Sequence, residues 1–158
     1  MALLSSATDE AIRVLVVDDS AFMRRAIERL LAAQPGIVVV GSAADGIEAV
    51  QQTLELRPDV ITMDVEMPRL DGLGAVREIM GALPTPIVML STRTTEGAQT
   101  TFNALDAGAV DFVAKPGPLS EDLEGLGDRL GDAIRGARQT RVQRRTAAVA
   151  RPPHHVLT

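Results

Sequence analysis

The chain has 158 residues, 46% of them hydrophobic, which is enough for one domain with a sizeable core and a short tail. It contains no cysteine, no Trp and no Tyr, so disulfides, thiolate metal sites and cysteine nucleophiles are excluded, and base-stacking recognition of nucleic acid has little to work with. The formal net charge is −5, but all 21 acidic residues lie at or before Asp132, whereas six arginines and no acid follow it.

The charge distribution and the lack of a long apolar segment limit which partners and which cellular location we expect. A basic tail on an acidic body can bind nucleic acid or anionic lipid, but a solvated linker is the simpler interpretation, and we do not expect a nucleic-acid partner. No segment approaches the roughly 18 apolar residues that a membrane span needs, and the N-terminal residues lack the basic and apolar regions of a secretory signal. The sequence therefore predicts a cytoplasmic protein without membrane insertion.

Five short runs rich in Val, Ile and Leu predict five strands, each followed by an amphipathic helical pattern. The runs begin near residues 12, 37, 60, 87 and 110 and are continuous rather than alternating, as in strands that are buried on both faces of a parallel sheet. This alternation predicts a doubly wound α/β domain with five helices and a five-stranded parallel sheet. The flavodoxin-like order 2-1-3-4-5 is our choice among the few orders that right-handed crossovers allow. We expect a flexible leader at 1–10, the domain at 11–137 and a basic linker or tail at 138–158.

The apolar residues of each helical segment predict the face that the helix buries. The five sets are Phe22, Met23, Ala26, Ile27, Leu30 and Leu31; Ile47, Val50 and Leu54; Leu73, Val76, Met80 and Leu83; Ala98, Phe102 and Leu105; and Leu123, Leu126, Leu130 and Ile134. The last helix contains several glycines, each of which costs about 1 kcal/mol relative to alanine in a helix interior. We therefore expect this helix to fray after Ala137.

Polar residues that could carry chemistry follow four of the predicted strands. Asp18 and Asp19 follow the first strand, Asp64 and Glu66 the third, Ser91 the fourth, and Lys115, the only lysine, the fifth. Because the carboxyl ends of parallel strands share one edge of the sheet, these side chains should meet there. Clustered carboxylates are hard oxygen ligands that suit Mg²⁺, and a carboxylate such as Asp64 can also attack phosphorus to form an aspartyl phosphate.

Each of these residues has a simpler interpretation when it is taken alone. Adjacent acids before a helix are often N-caps, although Ser20 is the better candidate for the cap here. Ser91 could be a turn residue, Glu66 could be exposed on a loop, and Lys115 could be solvated. An aromatic residue such as Phe112 is more often part of a core than of a site.

Taken together, three segments resemble the receiver domain of two-component response regulators. They are 16–20 (VVDDS), 63–73 (MDVEMPRLDGL) and 112–116 (FVAKP). The resemblance covers about residues 13–135 and is nearest to the receiver half of the chemotaxis protein-glutamate methylesterase (CheB type), on the segments 64–68, 86–91, 95–98 and 108–112.

The resemblance implies a role for each matching residue. Asp64 would be the phosphoacceptor; Asp18, Asp19, Asp64 and the main-chain carbonyl of Glu66 would hold Mg²⁺, with Mn²⁺ as an alternative ion; Ser91 and Lys115 would bind phosphoryl oxygens; and Phe112 would be a switch that becomes buried as Ser91 moves toward the phosphate. The Lys115–Pro116 peptide bond would be cis.

The implied function is a phosphorylation-dependent switch that accepts a phosphoryl group from the phosphohistidine of a chemotaxis-type sensor kinase. In the methylesterase, the receiver would regulate in cis a hydrolase domain that acts on methylated glutamates of chemoreceptors. Because the chain ends at Thr158, within what resembles the linker, we expect that domain to be absent and the chain alone not to cleave methyl esters. The alternatives are a stand-alone receiver, the receiver of a DNA-binding regulator, and a phosphatase-like enzyme that uses Asp64 as its nucleophile.

Overall fold

Five strands alternate with five helices in the computed structural model, which describes residues 10–65, 67, 70–91, 95–116 and 123–150. The strands are β1 (Ile12–Val17), β2 (Ile37–Ala43), β3 (Val60–Asp64), β4 (Ile87–Ser91) and β5 (Asp111–Ala114). The helices are α1 (Ala21–Ala32), α2 (Gly46–Leu56), α3 (Gly72–Ala82), α4 (Thr95–Ala107) and α5 (Leu123–Ala150). All strands pair in parallel in the order β2-β1-β3-β4-β5, which confirms the predicted fold class and strand order.

The strand order places the ends of β1 and β3 side by side. Their register pairs Val17 with Met63, so the next residues, Asp18 and Asp64, lie at the same level at the carboxyl ends of the two strands. At this position the strand order reverses, and such reversals form the crevice in which open α/β sheets bind their ligands.

The hydrophobic core forms one layer on each face of the sheet. On one face, α1 and α5 contribute buried residues such as Ile27, Leu31, Leu126, Leu130 and Ile134, and on the other α2, α3 and α4 pack against the sheet. The central strands β3 and β4 are buried throughout, as predicted, whereas the edge strands β2 and β5 are only partly buried. This difference arises because an edge strand lacks a neighbour on one side.

Two helices bury small residues most deeply, and only part of each predicted face packs against the core, namely Val50 of α2 and Leu105 of α4. In α2 the buried residues are Gly46, Ala49 and Thr53, whereas Ile47 and Leu54 of the predicted face are exposed. In α4 the buried residues include Ala104, while Phe102 of the predicted face is 72% exposed. Three helices share this side of the sheet, and small side chains let them approach the sheet and one another.

On the other side of the sheet, the predicted face of α1 is largely correct. Its residues Ile27 and Leu31 are buried as predicted, although Phe22 is exposed.

The last helix is longer than we predicted. Its leucines and Ile134 pack on the core as expected, but the helix continues to Ala150 instead of ending near Ala137. The residues from 138 to 150 include no glycine or proline and consist largely of Arg, Ala and Gln, which favour the helix, and Pro152 follows. Within the described part of the chain, no helix is both long and apolar enough to cross a bilayer.

Candidate functional site

Three aspartates meet at the carboxyl end of the sheet. Carboxylate oxygens of Asp18, Asp19 and Asp64 lie within 4.8 Å of one another. Asp18 and Asp64 are buried, with 0% and 3% of their surface exposed, whereas Asp19 is exposed. The structure thus brings together the three acids that the sequence placed at the ends of β1 and β3.

Lys115 supplies the counter-charge for the two buried acids. Its Nζ lies 3.0 Å from Asp18 Oδ2 and 3.2 Å from Asp64 Oδ1, and its side chain is only 17% exposed. Burial favours the neutral amine and lowers the pKa of Lys115, but the negative charges of Asp64 and Asp18 outweigh this effect and hold the pKa above its usual value. Lys115 is therefore a protonated member of the site and not a solvated surface lysine.

Ser91 joins the same edge of the sheet from the end of β4. Ser91 is almost completely buried, and its main-chain carbonyl accepts a hydrogen bond of 2.9 Å from the N–H of Lys115. This bond fixes the first residue after β5 to the last residue of β4. Ser91 and Lys115, which we predicted as phosphoryl ligands, are consequently held next to each other at the ends of adjacent strands.

The loop between β1 and α1 is fixed by short-range hydrogen bonds. Ser20 is the N-cap of α1, because its hydroxyl accepts a bond of 3.2 Å from the N–H of Met23. The carboxylate of Asp18 accepts the N–H of Ser20 at 2.9 Å, and the main-chain carbonyl of Asp18 accepts a bond of 2.7 Å from Nη1 of Arg24. No role for Arg24 was predicted from the sequence, so this bond is a finding of the structure. The only sign of it in the sequence is the position of Arg24 as the fourth residue of α1, from which a long side chain can reach back across the first turn.

Glycine at the start of α3 brings that helix against the main chain of Asp64. A Cβ at Gly72 would lie 2.5 Å from the carbonyl oxygen of Asp64, so only glycine fits without movement. The N–H of Gly72 donates to the carbonyl of Val65, and the N-cap Asp71 precedes it. No role for Gly72 was predicted from the sequence, although a glycine at the start of a helix can mark a close approach of main chain.

Phe112 and Ser91 border an apolar cavity of about 300 Å³ on the α4 side of β5. Its other walls come from α4 and include Phe102 and Leu105. Phe112 is 51% exposed, so it is not a core residue in this structure. The cavity lies beside the ring, which provides a place into which the ring could turn.

Two predictions at this site have a different outcome. Glu66, whose carbonyl we expected to bind a cation, lies outside the described residues. The predicted cis bond between Lys115 and Pro116 is wrong, because no peptide bond among the described residues is cis. The trans form of an X–Pro bond is favoured by about 0.5–1 kcal/mol, and Lys115 makes both of its ion pairs with this bond in the trans form.

The charges and donor atoms at this edge fit a divalent cation. Three carboxylates and one ammonium give a net charge of −2 when all are ionised, and two of the carboxylates are buried. Carboxylate oxygens are the ligands that hard cations such as Mg²⁺ prefer. A dication held by Asp18, Asp19 and Asp64 would cancel the excess charge.

An open α/β sheet with a buried aspartate at the end of β3, two acids after β1 and a lysine after β5 defines the receiver class of signalling domain. The chain matches the family model described as "Response regulator receiver domain" over residues 14–124. It belongs to this family, which confirms the resemblance drawn from the sequence.

Relatives of the chain include protein-glutamate methylesterase/protein-glutamine glutaminases. One from Symbiobacterium thermophilum is 50% identical over 151 residues, which cover 95% of this chain and 42% of that protein. One from Thermotoga maritima is 51% identical over 131 residues, which cover 82% of this chain and 38% of that protein. The chain thus spans about two fifths of the length of these curated relatives.

Solved structures place the same part of the chain among receiver domains. The crystal structure of the response regulator domain of Thermotoga maritima CheB is 50% identical, covers 82% of this chain and 98% of that chain, and superposes with a TM-score of 0.76. The receiver domain of NtrX from Brucella abortus is 29% identical, with coverages of 80% and 98% and a TM-score of 0.67. The similarity to the receiver of the chemotaxis methylesterase is therefore present in both sequence and structure.

Proposed function

We propose that the chain is a phosphorylation-dependent switch that accepts a phosphoryl group on Asp64 from a phosphohistidine of a sensor kinase. The observation that carries the proposal is the position of Asp64, which is buried, within 4.8 Å of two other acids and 3.2 Å from the ammonium of Lys115. A solvated loop aspartate would have none of these neighbours. The cytoplasmic location predicted from the sequence belongs to this proposal.

The chemistry follows from what the residues can do to a phosphoryl group. An oxygen of the Asp64 carboxylate attacks phosphorus, the P–N bond to the imidazole breaks, and its electron pair remains on the imidazole nitrogen. Negative charge on the phosphoryl oxygens is then taken up by the ammonium of Lys115 and the hydroxyl of Ser91. Asp18 and Asp19, with Asp64, would hold Mg²⁺, which supplies further charge neutralisation when it is bound; Mn²⁺ has the same preference for oxygen ligands.

The switch itself would lie on the face formed by α4, β5 and α5. Ser91 and Phe112 line the same cavity, so movement of Ser91 toward a phosphoryl group would change the space beside the ring of Phe112. We propose that Phe112 turns into this cavity in the active arrangement. Moving such an equilibrium from 1:99 to 99:1 requires about 5.5 kcal/mol of differential interaction.

The biological setting that we propose is the regulation of a chemotaxis methylesterase. Its support is the similarity to methylesterases at 50% identity over 151 residues. In that setting the donor is a chemotaxis-type histidine kinase, the regulated element is an esterase domain in cis, and the final substrates are methylated glutamates of chemoreceptors. The chain would control that activity and not perform it.

The proposal is tested by intact-mass spectrometry of the full chain after incubation with acetyl phosphate and Mg²⁺. We expect one added phosphoryl group on the wild type and none on Asp64→Asn. Asp106→Asn is the matched control, because it removes an exposed acid from α4 and should be phosphorylated like the wild type. No added mass on the wild type, or equal phosphorylation of Asp64→Asn, would refute the proposal.

A further inference from the structure

Arg24 reaches from the first turns of α1 back to the acidic site. Its Nη1 donates a hydrogen bond of 2.7 Å to the main-chain carbonyl of Asp18, and the side chain is half-buried. A charged donor makes a hydrogen bond roughly twice as strong as a neutral one. The bond is therefore a firm restraint on the peptide unit that joins Asp18 to Asp19.

This peptide unit determines where the Asp19 carboxylate points. The N–H of Asp18 is fixed to the carbonyl of Ala43 at 3.1 Å, and the N–H of Ser20 is fixed to the Asp18 carboxylate at 2.9 Å. Asp19 lies between these two bonds, and within the described residues no hydrogen bond or ion pair holds its side chain. Its direction is consequently set by the main chain on either side.

We propose that Arg24 is a positioning residue of the acidic site. By holding the carbonyl of Asp18, it keeps the following peptide in the orientation that places the Asp19 carboxylate within reach of Asp18 and Asp64. Arg24 thereby raises the affinity of the three acids for a divalent cation without touching the cation. This inference rests on the proposed function, because it assumes that these acids bind a cation.

The charge of Arg24 has the opposite effect on a cation. A guanidinium near the acids repels a dication, so removing the charge alone would tighten binding, whereas removing the bond to Asp18 would weaken it. The two effects are separable by substitution. Arg24→Met removes both charge and bond, so a loss of affinity in this variant shows that the bond outweighs the opposing effect of the charge.

Arg25 provides a matched control on the same helix. It follows Arg24 directly, is exposed, and makes no hydrogen bond or ion pair with the described residues. Arg25→Met therefore removes one positive charge from the same turn and leaves the Asp18 carbonyl restrained.

The experiment is a calorimetric titration of Mn²⁺ into the metal-free full chain, with the thermal melting of each variant recorded alongside. Loss of a residue that orients metal ligands costs about 10–100-fold in affinity, so we expect Arg24→Met to bind Mn²⁺ at least about tenfold more weakly than the wild type. Arg25→Met should stay within about twofold of the wild type, because an exposed charge is largely screened by salt. Unchanged or tighter binding by Arg24→Met would overturn the inference.

A double-mutant cycle with Asp19→Asn distinguishes positioning from a general loss of structure. If Arg24 acts through the orientation of Asp19, then Arg24→Met should change the affinity of the Asp19→Asn variant by less than about twofold, because the two effects are not additive. A full additional loss in the double variant would contradict this route. Failure of the site itself has a different signature: wild type that does not bind Mn²⁺, or that binds it equally well as Asp64→Asn, would refute both the cation site and the role of Arg24.

Discussion

Replacing Gly72 with alanine tests whether the start of α3 fixes the position of the phosphoacceptor candidate. The new Cβ would lie 2.5 Å from the carbonyl oxygen of Asp64 and 3.0 Å from that of Val65, whereas ordinary van der Waals contact begins at 3.4 Å. The obstacle is main chain, so α3 or the end of β3 has to move by close to an ångström. Overpacking of this kind costs about 1–3 kcal/mol, and the better helix propensity of alanine returns at most about 1 kcal/mol.

Gly81 offers the same substitution in the same helix without the obstacle, because nothing lies within 4 Å of a Cβ there. In urea unfolding followed by circular dichroism, Gly72→Ala should lose about 1–2 kcal/mol, whereas Gly81→Ala should gain about 0.5–1 kcal/mol. Movement of Asp64 should also slow its phosphorylation by acetyl phosphate in Gly72→Ala but not in Gly81→Ala. If Gly72→Ala is as stable as Gly81→Ala and is phosphorylated at the wild-type rate, then the close packing of α3 on Asp64 affects neither the stability of the fold nor the reactivity of Asp64.

Three further predictions concern buried polar groups. Thr62 in β3 has a buried hydroxyl without a hydrogen-bond partner among the described residues, so Thr62→Val should stabilise the protein by about 1 kcal/mol in urea unfolding, and a loss of stability would contradict this. Lys115→Met leaves Asp18 and Asp64 buried without their cation and should cost about 3–5 kcal/mol in divalent-free buffer, part of which Mg²⁺ should restore; an unchanged unfolding curve would show that the ion pairs do not stabilise the fold. The raised pKa of Lys115 means that its contribution to stability is complete below 10.5, the value for an unperturbed lysine, and is lost as the pH rises through the higher folded value. The stabilities of the wild type and Lys115→Met should therefore converge only in alkali above that pH, and convergence near neutrality would show that the lysine is not held protonated by the acids.

Much of the fold and the core of the site could be predicted because a buried parallel strand has two recognisable features in the sequence. Each strand is a continuous apolar run, and each places its first polar residue at the same edge of the sheet. The acids after β1 and β3 and the lysine after β5 could therefore be grouped from their positions in the chain. Their burial and mutual distances depend on the strand order, which pairs Val17 with Met63.

What could not be predicted depends on how closely the elements approach. The most deeply buried positions of α2 and α4 are small residues such as Ala49 and Ala104, which the apolar pattern did not select, whereas Val50 and Leu105 of the predicted faces do pack against the core. Gly72 matters only because the carbonyl of Asp64 lies next to it, and Arg24 matters only because the helix start turns its side chain toward Asp18. These contacts join residues that carry no shared periodicity.

The charges of the site are only partly balanced, so the stability of the fold should depend on whether a cation is bound there. Lys115 divides one positive charge between two buried carboxylates, and Asp19 adds a third negative charge at the rim. A dication would remove the remaining repulsion, so binding should stabilise the fold as well as prepare Asp64 for reaction.

Phosphorylation of Asp64 would add negative charge at the point that Lys115 already contacts. The ammonium would then be drawn from Asp18 toward the phosphoryl oxygens, and because the N–H of Lys115 is bonded to the carbonyl of Ser91, the ends of β4 and β5 would respond together. A change of charge on one side chain can thus reach the cavity between Ser91 and Phe112 through main-chain bonds that the unphosphorylated fold already contains.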